Sequence, residues 1–428
     1  MRLVCPPPQS SREVGFLRSL DSDFVHQIVQ ERLRTDGARV ALVPDYVRWK
    51  EQDGSIVGWR AADDGSDGCY VTLRTARPDR LADEAAKIAH RMDEEQDGTR
   101  LCAVVPECDL MLVAFPLDRH LSDLRRMVRL GKVRSLLEEC CTDLLPPGHR
   151  VSRSKSSMRL VRYKPERRAV IRWDLGVVDP TGAAAGVRTV WVRLVAEPLP
   201  HRARVSAAAL EGCVAVPTPL AAPHERLLVE GHLDGAPWEL GDVDPVRAVA
   251  ETLHRLHHCS IPAGQQVHGP IAELDLVLAA VDVHRRLDAE QGALAAAVAD
   301  RLALSMPPSG VPVLAHGDFH CGQVLVNGSV ALCDLDRSGP AGAVVDLASM
   351  HAHAYLAAGD AGSQFASGFT KAALAAGAQV GARELEWWVA AALVRAALAP
   401  FRRLSGEWRE HAARVLAEAR RIAEGGSL

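Results

Sequence analysis

The sequence predicts an α+β protein in which an antiparallel sheet precedes a mainly helical half. Three observations carry this expectation. Residues 151–196 are strand-like around short turns, apolar residues recur at helical spacing from 246 onward, and about 150 further residues precede both. A chain of 428 residues with 48% apolar content can bury a large core, and its length implies two or three domains. The expected divisions are an α+β accessory or cap domain over 1–145, a sheet lobe over 146–235 and a helical lobe over 236–428.

The first 150 residues contain an echo of the later sheet. Trp49 and Trp59 stand ten apart, as do Tyr163 and Trp173, and each pair leads into a Gly/Asp-rich loop, a strand and an Ala-rich helix. The strand at 70–74 resembles 190–193 in character, and 81–91 resembles the helix after Pro200. Two readings stand for 40–91: a degenerate copy of the later sheet, or a chance likeness between two antiparallel meanders. Residues 107–127 supply a strand and a helix that lead toward the second half.

In the later sheet, strands at 160–163 and 169–175 flank the turn Lys164-Pro165-Glu166, and a Gly/Ala/Pro-rich loop leads to a third strand at 189–196. A helix at 202–210 and a strand over 225–230 come next, and the turn after Glu230 is the hinge between lobes. Helices are then expected at 246–258, 274–303, 344–358, 382–403 and 408–423.

Charge excludes some classes of function. Fifty basic and 54 acidic residues give a net charge of -4 with no long block of either sign, which argues against dedicated nucleic-acid or membrane-surface binding. No long apolar run or signal-peptide core occurs, so a soluble, cytoplasmic protein is expected. The ten cysteines lack Cys-x-x-Cys spacing and read as small buried thiols. Only six of the fifty basic residues are Lys.

The densest chemistry lies in AHGDFHCGQVLVNGSVALCDLD, residues 315–336. Gln323 follows Asp318 by five residues, and Asp334 follows Gln323 by eleven at the end of an apolar run. That pattern implies a catalytic loop, a short hairpin and a metal-binding carboxylate. In kinase-like sites one Asp receives the proton of the acceptor hydroxyl, an amide five residues on helps hold Mg2+, and a second Asp holds the metal on the nucleotide phosphates. Asp318, Gln323 and Asp334 fall in those three places.

The segment resembles the aminoglycoside phosphotransferase and choline kinase superfamily, whose motif is His-Gly-Asp-x-His-x-x-Asn followed by Asp-x-Asp or Asp-x-Glu. Gln323 stands where most members carry Asn, a wording shared with the maltokinase-like branch, and it reaches one methylene further. The resemblance covers roughly residues 150–428. It implies a bilobal protein-kinase-like fold, with an antiparallel N-lobe and a helical C-lobe. It also implies Mg2+-dependent transfer of the γ-phosphate of ATP or GTP to a hydroxyl of a small polar molecule.

Under that resemblance Asp318 orients the acceptor hydroxyl, while His316 braces the loop. His320 either braces it or touches substrate. Asp336 either contacts a second ion, lying on the same side as Asp334 in an extended segment, or is a solvated turn residue. Asp346, in Asp-Leu-Ala at a helix start, braces the loop. Arg193 takes the place of the third-strand Lys of most relatives, and the helix at 202–210 offers it no Glu partner.

Glu230 and Lys164 complete the nucleotide-binding set. Lys164, with Arg167 and Arg168, either covers phosphates or forms a solvated hairpin tip. The absence of Gly-x-x-x-x-Gly-Lys-Ser/Thr argues against a P-loop ATPase.

Acceptor specificity is assigned to Glu384, Glu386, Trp387, Trp388 and Glu407, or else these are helix surface and core. The N-terminal domain is expected to shape the acceptor side and to hold no second active site. Two alternatives remain beside the small-molecule kinase: a nucleotide-binding pseudokinase or regulatory scaffold, and a Ser/Thr kinase acting on a biosynthetic peptide.

Overall fold

The computed structural model describes residues 11–34, 39–50, 54–62, 70–75, 80, 81, 83, 84, 86, 95, 96, 99–141 and 144–428. It divides into two compact units. The first comprises Met1–Pro198, Leu220–Glu230 and Arg402–Gly406, and the second Leu199–Pro219, Gly231–Phe401 and Glu407–Leu428. The architecture is α+β, with antiparallel sheets in the first half and helices dominating the second.

The first unit is built from one plan used twice. Helices α1 (Ser11–Ser19) and α2 (Ser22–Arg32) precede strands β1 (Leu42–Lys50), β2 (Gly54–Ala61) and β3 (Tyr70–Thr75). Helical residues between 80 and 86 follow, then β4 (Cys102–Val105) and β5 (Leu110–Ala114). The last strand inserts beside the third, so the sheet order is β1-β2-β3-β5-β4.

The second pass has helices α3 (Leu124–Met127) and α4 (Leu130–Cys140), then β6 (Arg150–Lys164), β7 (Arg168–Val178) and β8 (Ala184–Val195). Along the chain come α5 (Arg202–Glu211), β9 (Pro219–His224) and β10 (Leu227–Gly231). This sheet runs β6-β7-β8-β10-β9, the same order as the first.

Two further details match between the copies. The Trp59 indole Nε1 donates to the Ser19 carbonyl at 2.9 Å, and Trp173 Nε1 donates to Met127 at 2.9 Å, so each tryptophan binds the last residue of its leading helix. Register agrees as well, since Arg74 pairs with Ile56 and Arg193 with Val170, each three residues before its tryptophan. Chance likeness does not produce the same strand order, the same indole bond and the same register together. These likenesses extend beyond the expected stretch 40–91, and residues 87–91 of the helix expected there lie outside the described residues.

The first copy reaches the core of the second through Tyr70. Tyr70 stacks edge-on against Tyr163 at 4.8 Å, and Met127, Ile171, Leu175, Val192 and Val229 pack into the same cluster.

The second unit contains β11 (Ala236–Pro237), α6 (Val246–His257), α7 (Pro270–Leu287), α8 (Ala289–Leu304) and β12 (Val313–Ala315). The hairpin β13 (Val324–Val326) and β14 (Val330–Leu332) follows, then β15 (Gly339–Ala341) and helices α9 (Val344–Ala358), α10 (Asp360–Ala375), α11 (Ala382–Ala396) and α12 (Trp408–Ala423). Sheet order is β11-β13-β14, with β12 and β15 pairing separately.

Several expected boundaries move. The single helix expected over 274–303 is two helices, because Asp288 turns extended and caps the second through bonds from Glu290 N and Gln291 N. The helix expected over 382–403 ends at Ala396 and a short turn at Ala399–Arg402 follows. Helix α10 was not expected from its Gly- and Ser-containing sequence, since those residues are weak helix formers. Burial of Ala366, Phe369 and Ala373 outweighs that weakness, and Gly362 admits the α9 backbone: a Cβ there would sit 2.0 Å from the Ala354 carbonyl. The thiols are also less uniformly buried than expected, with Cys140 and Cys213 exposed. Among the described residues no helix is long and apolar enough to cross a membrane.

Candidate active site

The loop after β12 owes its shape to Asp346 at the start of α9. This carboxylate is fully buried and accepts the backbone N–H of His316 and of Gly317, each at 2.8 Å, and the ring N–H of His257 at 2.8 Å. Burial alone would raise its pKa; the His257 hydrogen bond and neighbouring positive charge outweigh it and hold the group low. The His316 ring donates Nε2–H to the Cys333 carbonyl at 2.8 Å, tying the loop to the end of the hairpin.

Gly317 permits the closest approach. Its φ is +78°, and a Cβ there would lie 2.3 Å from the Arg337 carbonyl, so only glycine fits between the two segments. Phe319 is then buried against Phe369, ring centroids 5.5 Å apart. Phe319 is buried while Asp318 and His320 on either side of it are only partly so.

Asp318 is half-buried and flanked by a guanidinium and an imidazole. Arg337 Nη1 lies 3.6 Å and His353 Nε2 3.7 Å from its Oδ1. Burial pushes the carboxyl up, but the His353 hydrogen bond, Arg337 and the neighbouring histidines overcome that and hold its pKa well below the usual carboxylate range. His320 stacks on His353 at 4.1 Å and accepts the Gly322 N–H on Nδ1. Burial, and then the charge of His353, push its pKa down to about 3, so at neutral pH the ring is neutral.

Gln323 and Asp334 meet across the hairpin, where the Gln323 amide donates to Asp334 Oδ2 at 3.3 Å. The β13–β14 register brings them together by pairing Val324 with Leu332. Asp334 has φ +55°, a left-handed conformation. Residues 335–337 then form a 3-10 turn, so the extended segment expected to put Asp336 on the same side as Asp334 does not exist. Asp336 Oδ1 instead accepts Arg202 Nε of α5 at 3.1 Å. The Asp334 carboxylate suits Mg2+, which takes one or two carboxylates and completes its shell with water and phosphate oxygens, and the amide oxygen of Gln323 is a further hard donor on the same hairpin.

In the first unit, Arg193 Nε donates to Glu230 Oε2 at 2.6 Å, and Glu230 is 1% exposed. The acid that α5 does not supply comes from β10. Lys164 ends β6, and in the turn it begins Arg167 is exposed while Pro165 is buried and the Glu166 side chain is 8% exposed.

Trp387 and Trp388 are core residues, with Trp387 Nε1 bonded to the Leu302 carbonyl at 2.9 Å, whereas Glu407 is exposed. Sequence reasoning missed Arg337, His353, His257 and Arg202. Arg337 directly follows Asp336 and was within reach of inspection. The others come from helices whose spacing to the loop no motif fixes.

Within the second unit, a braced loop with an ionised Asp and a hairpin that pairs an amide with a second Asp are the kind of constellation phosphoryl transfer uses. Residues 201–388, which hold the braced loop and the hairpin, match the model of the phosphotransferase enzyme family, APH. The chain is an enzyme of the small-molecule phosphotransferase class.

Among solved structures it is similar to macrolide 2'-phosphotransferase MphH from Brachybacterium faecium, at 17% identity over 67% of this chain and 97% of that one, with a TM-score of 0.43. It is also similar to an ethanolamine kinase of Plasmodium vivax, at 13% identity over 72% and 95% with a TM-score of 0.47. A choline kinase from Cryptosporidium parvum aligns at 12% identity over 64% and 90%, TM-score 0.47. A comparison with curated proteins gave no match.

Proposed function

We propose that the protein is a cytoplasmic, Mg2+-dependent kinase that moves the γ-phosphate of ATP or GTP to a hydroxyl of a sugar, aminosugar or aminoglycoside. The observation that carries this is Asp318: a carboxylate kept ionised on a loop fixed by Asp346 and followed by the Gln323–Asp334 pair. In this reading residues 1–145 are an accessory domain, 146–235 the N-lobe and 236–428 the C-lobe. Neither nucleic acid nor membrane is a partner.

The chemistry follows from the charge states. The acceptor oxygen forms a bond to the γ-phosphorus as the bond to the β-phosphate bridging oxygen breaks, and the nucleoside diphosphate leaves. The acceptor proton passes to Asp318. A carboxylate with so low a pKa is a weak base, so Asp318 acts chiefly by orienting the hydroxyl and takes the proton late, as a loose transition state allows. Asp334 and Gln323 would hold Mg2+, which when bound neutralises phosphate charge. Arg193, oriented by Glu230, and Lys164 serve the phosphates. Asp336 is held by Arg202 and supports the metal loop.

A regulatory, nucleotide-binding scaffold is the second reading, favoured by Arg in place of Lys at 193 and Gln in place of Asn at 323. The peptide-kinase alternative has no observation in its favour. Incubation with labelled ATP and GTP against sugars, aminosugars, aminoglycosides and choline separates these readings. Transfer to a sugar-type hydroxyl supports the kinase, and nucleotide binding with no transfer to any acceptor supports the scaffold.

A further inference from the structure

Arg74 and Arg193 occupy one register position in the two copies of the sheet, yet their guanidinium groups serve different partners. In the second copy Arg193 goes to Glu230. In the first copy Arg74 is 2% exposed and pairs with Glu84, while its Nε lies 3.3 Å from Glu166. Glu166 belongs to the other copy: it sits in the turn joining β6 to β7, between Lys164 and Arg168.

That turn is fastened where a nucleotide loop is ordinarily glycine-rich. Glu166 has φ +55°, a conformation that glycine adopts freely and other residues rarely do. Its N–H donates to Asp118 Oδ2 at 2.8 Å, and the same oxygen accepts the Tyr163 hydroxyl at 2.7 Å. Its carboxylate meets Arg74, Arg119 at 3.6 Å and His120 at 3.7 Å. Arg119 also pairs with Glu84, so two guanidinium groups and two carboxylates close one cluster. Nothing in a plain hairpin requires a buried glutamate with four such partners.

We propose that Arg74, Glu84 and Arg119 are positioning residues that act through Glu166 to preset the turn Lys164–Arg168 for the nucleotide's phosphates. The first copy of the sheet has become a brace for the second. Its third-strand cation, which the second copy keeps beside Glu230, is used here to fix the loop of its neighbour. This rests on the phosphotransferase reading above, because it is that reading which gives the turn a nucleotide to meet.

The test uses the full chain with Mg·ATP as probe. Glu166→Gly tolerates the positive φ and leaves Arg74 and Arg119 their Glu84 partner, so it removes the fastener without stranding a buried charge. Arg119→Gln, at a side chain 34% exposed, removes only the outer cation. Amide exchange over 164–168 is expected to rise about tenfold in Glu166→Gly, with the rest of β7 unchanged. The dissociation constant for Mg·ATP should rise about tenfold as the competent turn becomes a minor state, and Arg119→Gln should lie between the two.

A lower melting temperature with turn exchange and Mg·ATP affinity at parent values would mean that the cluster is only structural, and would overturn the proposal. A loosened turn with unaltered affinity overturns it equally. If the parent chain fails to bind Mg·ATP, the phosphotransferase reading falls and the nucleotide role of the turn with it. Exchange over 164–168 still decides whether the brace exists.

Discussion

Glu230 Oε2 accepts Arg193 Nε at 2.6 Å, so the third-strand cation of the second sheet is held by an acid on the neighbouring strand β10 rather than by a helix. In the proposed phosphotransferase reading the pair would serve as a Lys–Glu pair does in a kinase N-lobe, by fixing a positive charge for the phosphates. Arg193→Ala should therefore weaken nucleotide binding by about tenfold or more, and Arg193→Lys should keep part of it, because the point charge survives while the planar fork is lost. Glu230→Gln should fall between them. Calorimetric titration with Mg·ATP checks all three, and parent-like affinity in Arg193→Ala removes the residue from the site.

Asp318→Asn should leave Mg·ATP affinity near that of the parent and lower turnover by about two to four orders of magnitude, since it deletes proton acceptance and hydroxyl orientation but no phosphate contact. Arg337 and His353 would lose an anionic partner. The substitution should therefore not destabilise the fold through an uncompensated carboxylate. Transfer rates with the best acceptor from the screen decide the matter, and full turnover in the variant ends the assignment.

What could be read in the sequence was whatever local spacing fixes. The hairpin between Gln323 and Asp334, helix α9 at 344–358 and helix α12 at 408–423 fall where periodicity put them. Arg193 and Asp318 were visible because each sits inside a strand or loop motif. His353 was not, because it reaches Asp318 only through the packing of α9 against the loop. Glu230 was visible as a residue of the last strand, but its bond to Arg193 depends on the fifth strand inserting beside the third, a crossover that no local pattern encodes. The left-handed Glu166 and Asp334 defeat the usual expectation that such positions are glycine, since side-chain partners offset the strain at one of them.

Metal dependence should centre on Asp334. Asp334→Ala is expected to abolish the Mg2+-dependent part of thermal stabilisation by nucleotide, because it removes the carboxylate beside the Gln323 amide. Gln323→Asn keeps the amide oxygen and restores the residue most relatives carry, so it should retain the shift. Thermal melts with ATP, with and without Mg2+, read both variants. An undiminished Mg2+-dependent shift in Asp334→Ala would place the ion on other residues.

The last prediction concerns acid stability and comes from His351 on α9. This ring is 2% exposed, bonded to the Thr370 hydroxyl at 2.9 Å, and burial pushes its pKa down to about 4. His320 is pushed down to about 3. Both are neutral in the folded chain at pH 7, whereas an unfolded histidine binds a proton below about pH 6.5. Between those limits the unfolded state holds more protons, so stability must fall as pH drops from about 6.5 toward 4.

Carboxylates with depressed pKa values, such as Asp346, add their own loss only at lower pH, which leaves the window from about 7.5 to about 5 to the histidines. His351→Gln can keep a hydrogen bond to Thr370 without a titratable ring. Urea unfolding at about pH 7.5 and about pH 5 should show a smaller loss of stability in this variant than in the parent. An equal loss in the two proteins would mean that His351 takes up its proton in the folded state as readily as in the unfolded one.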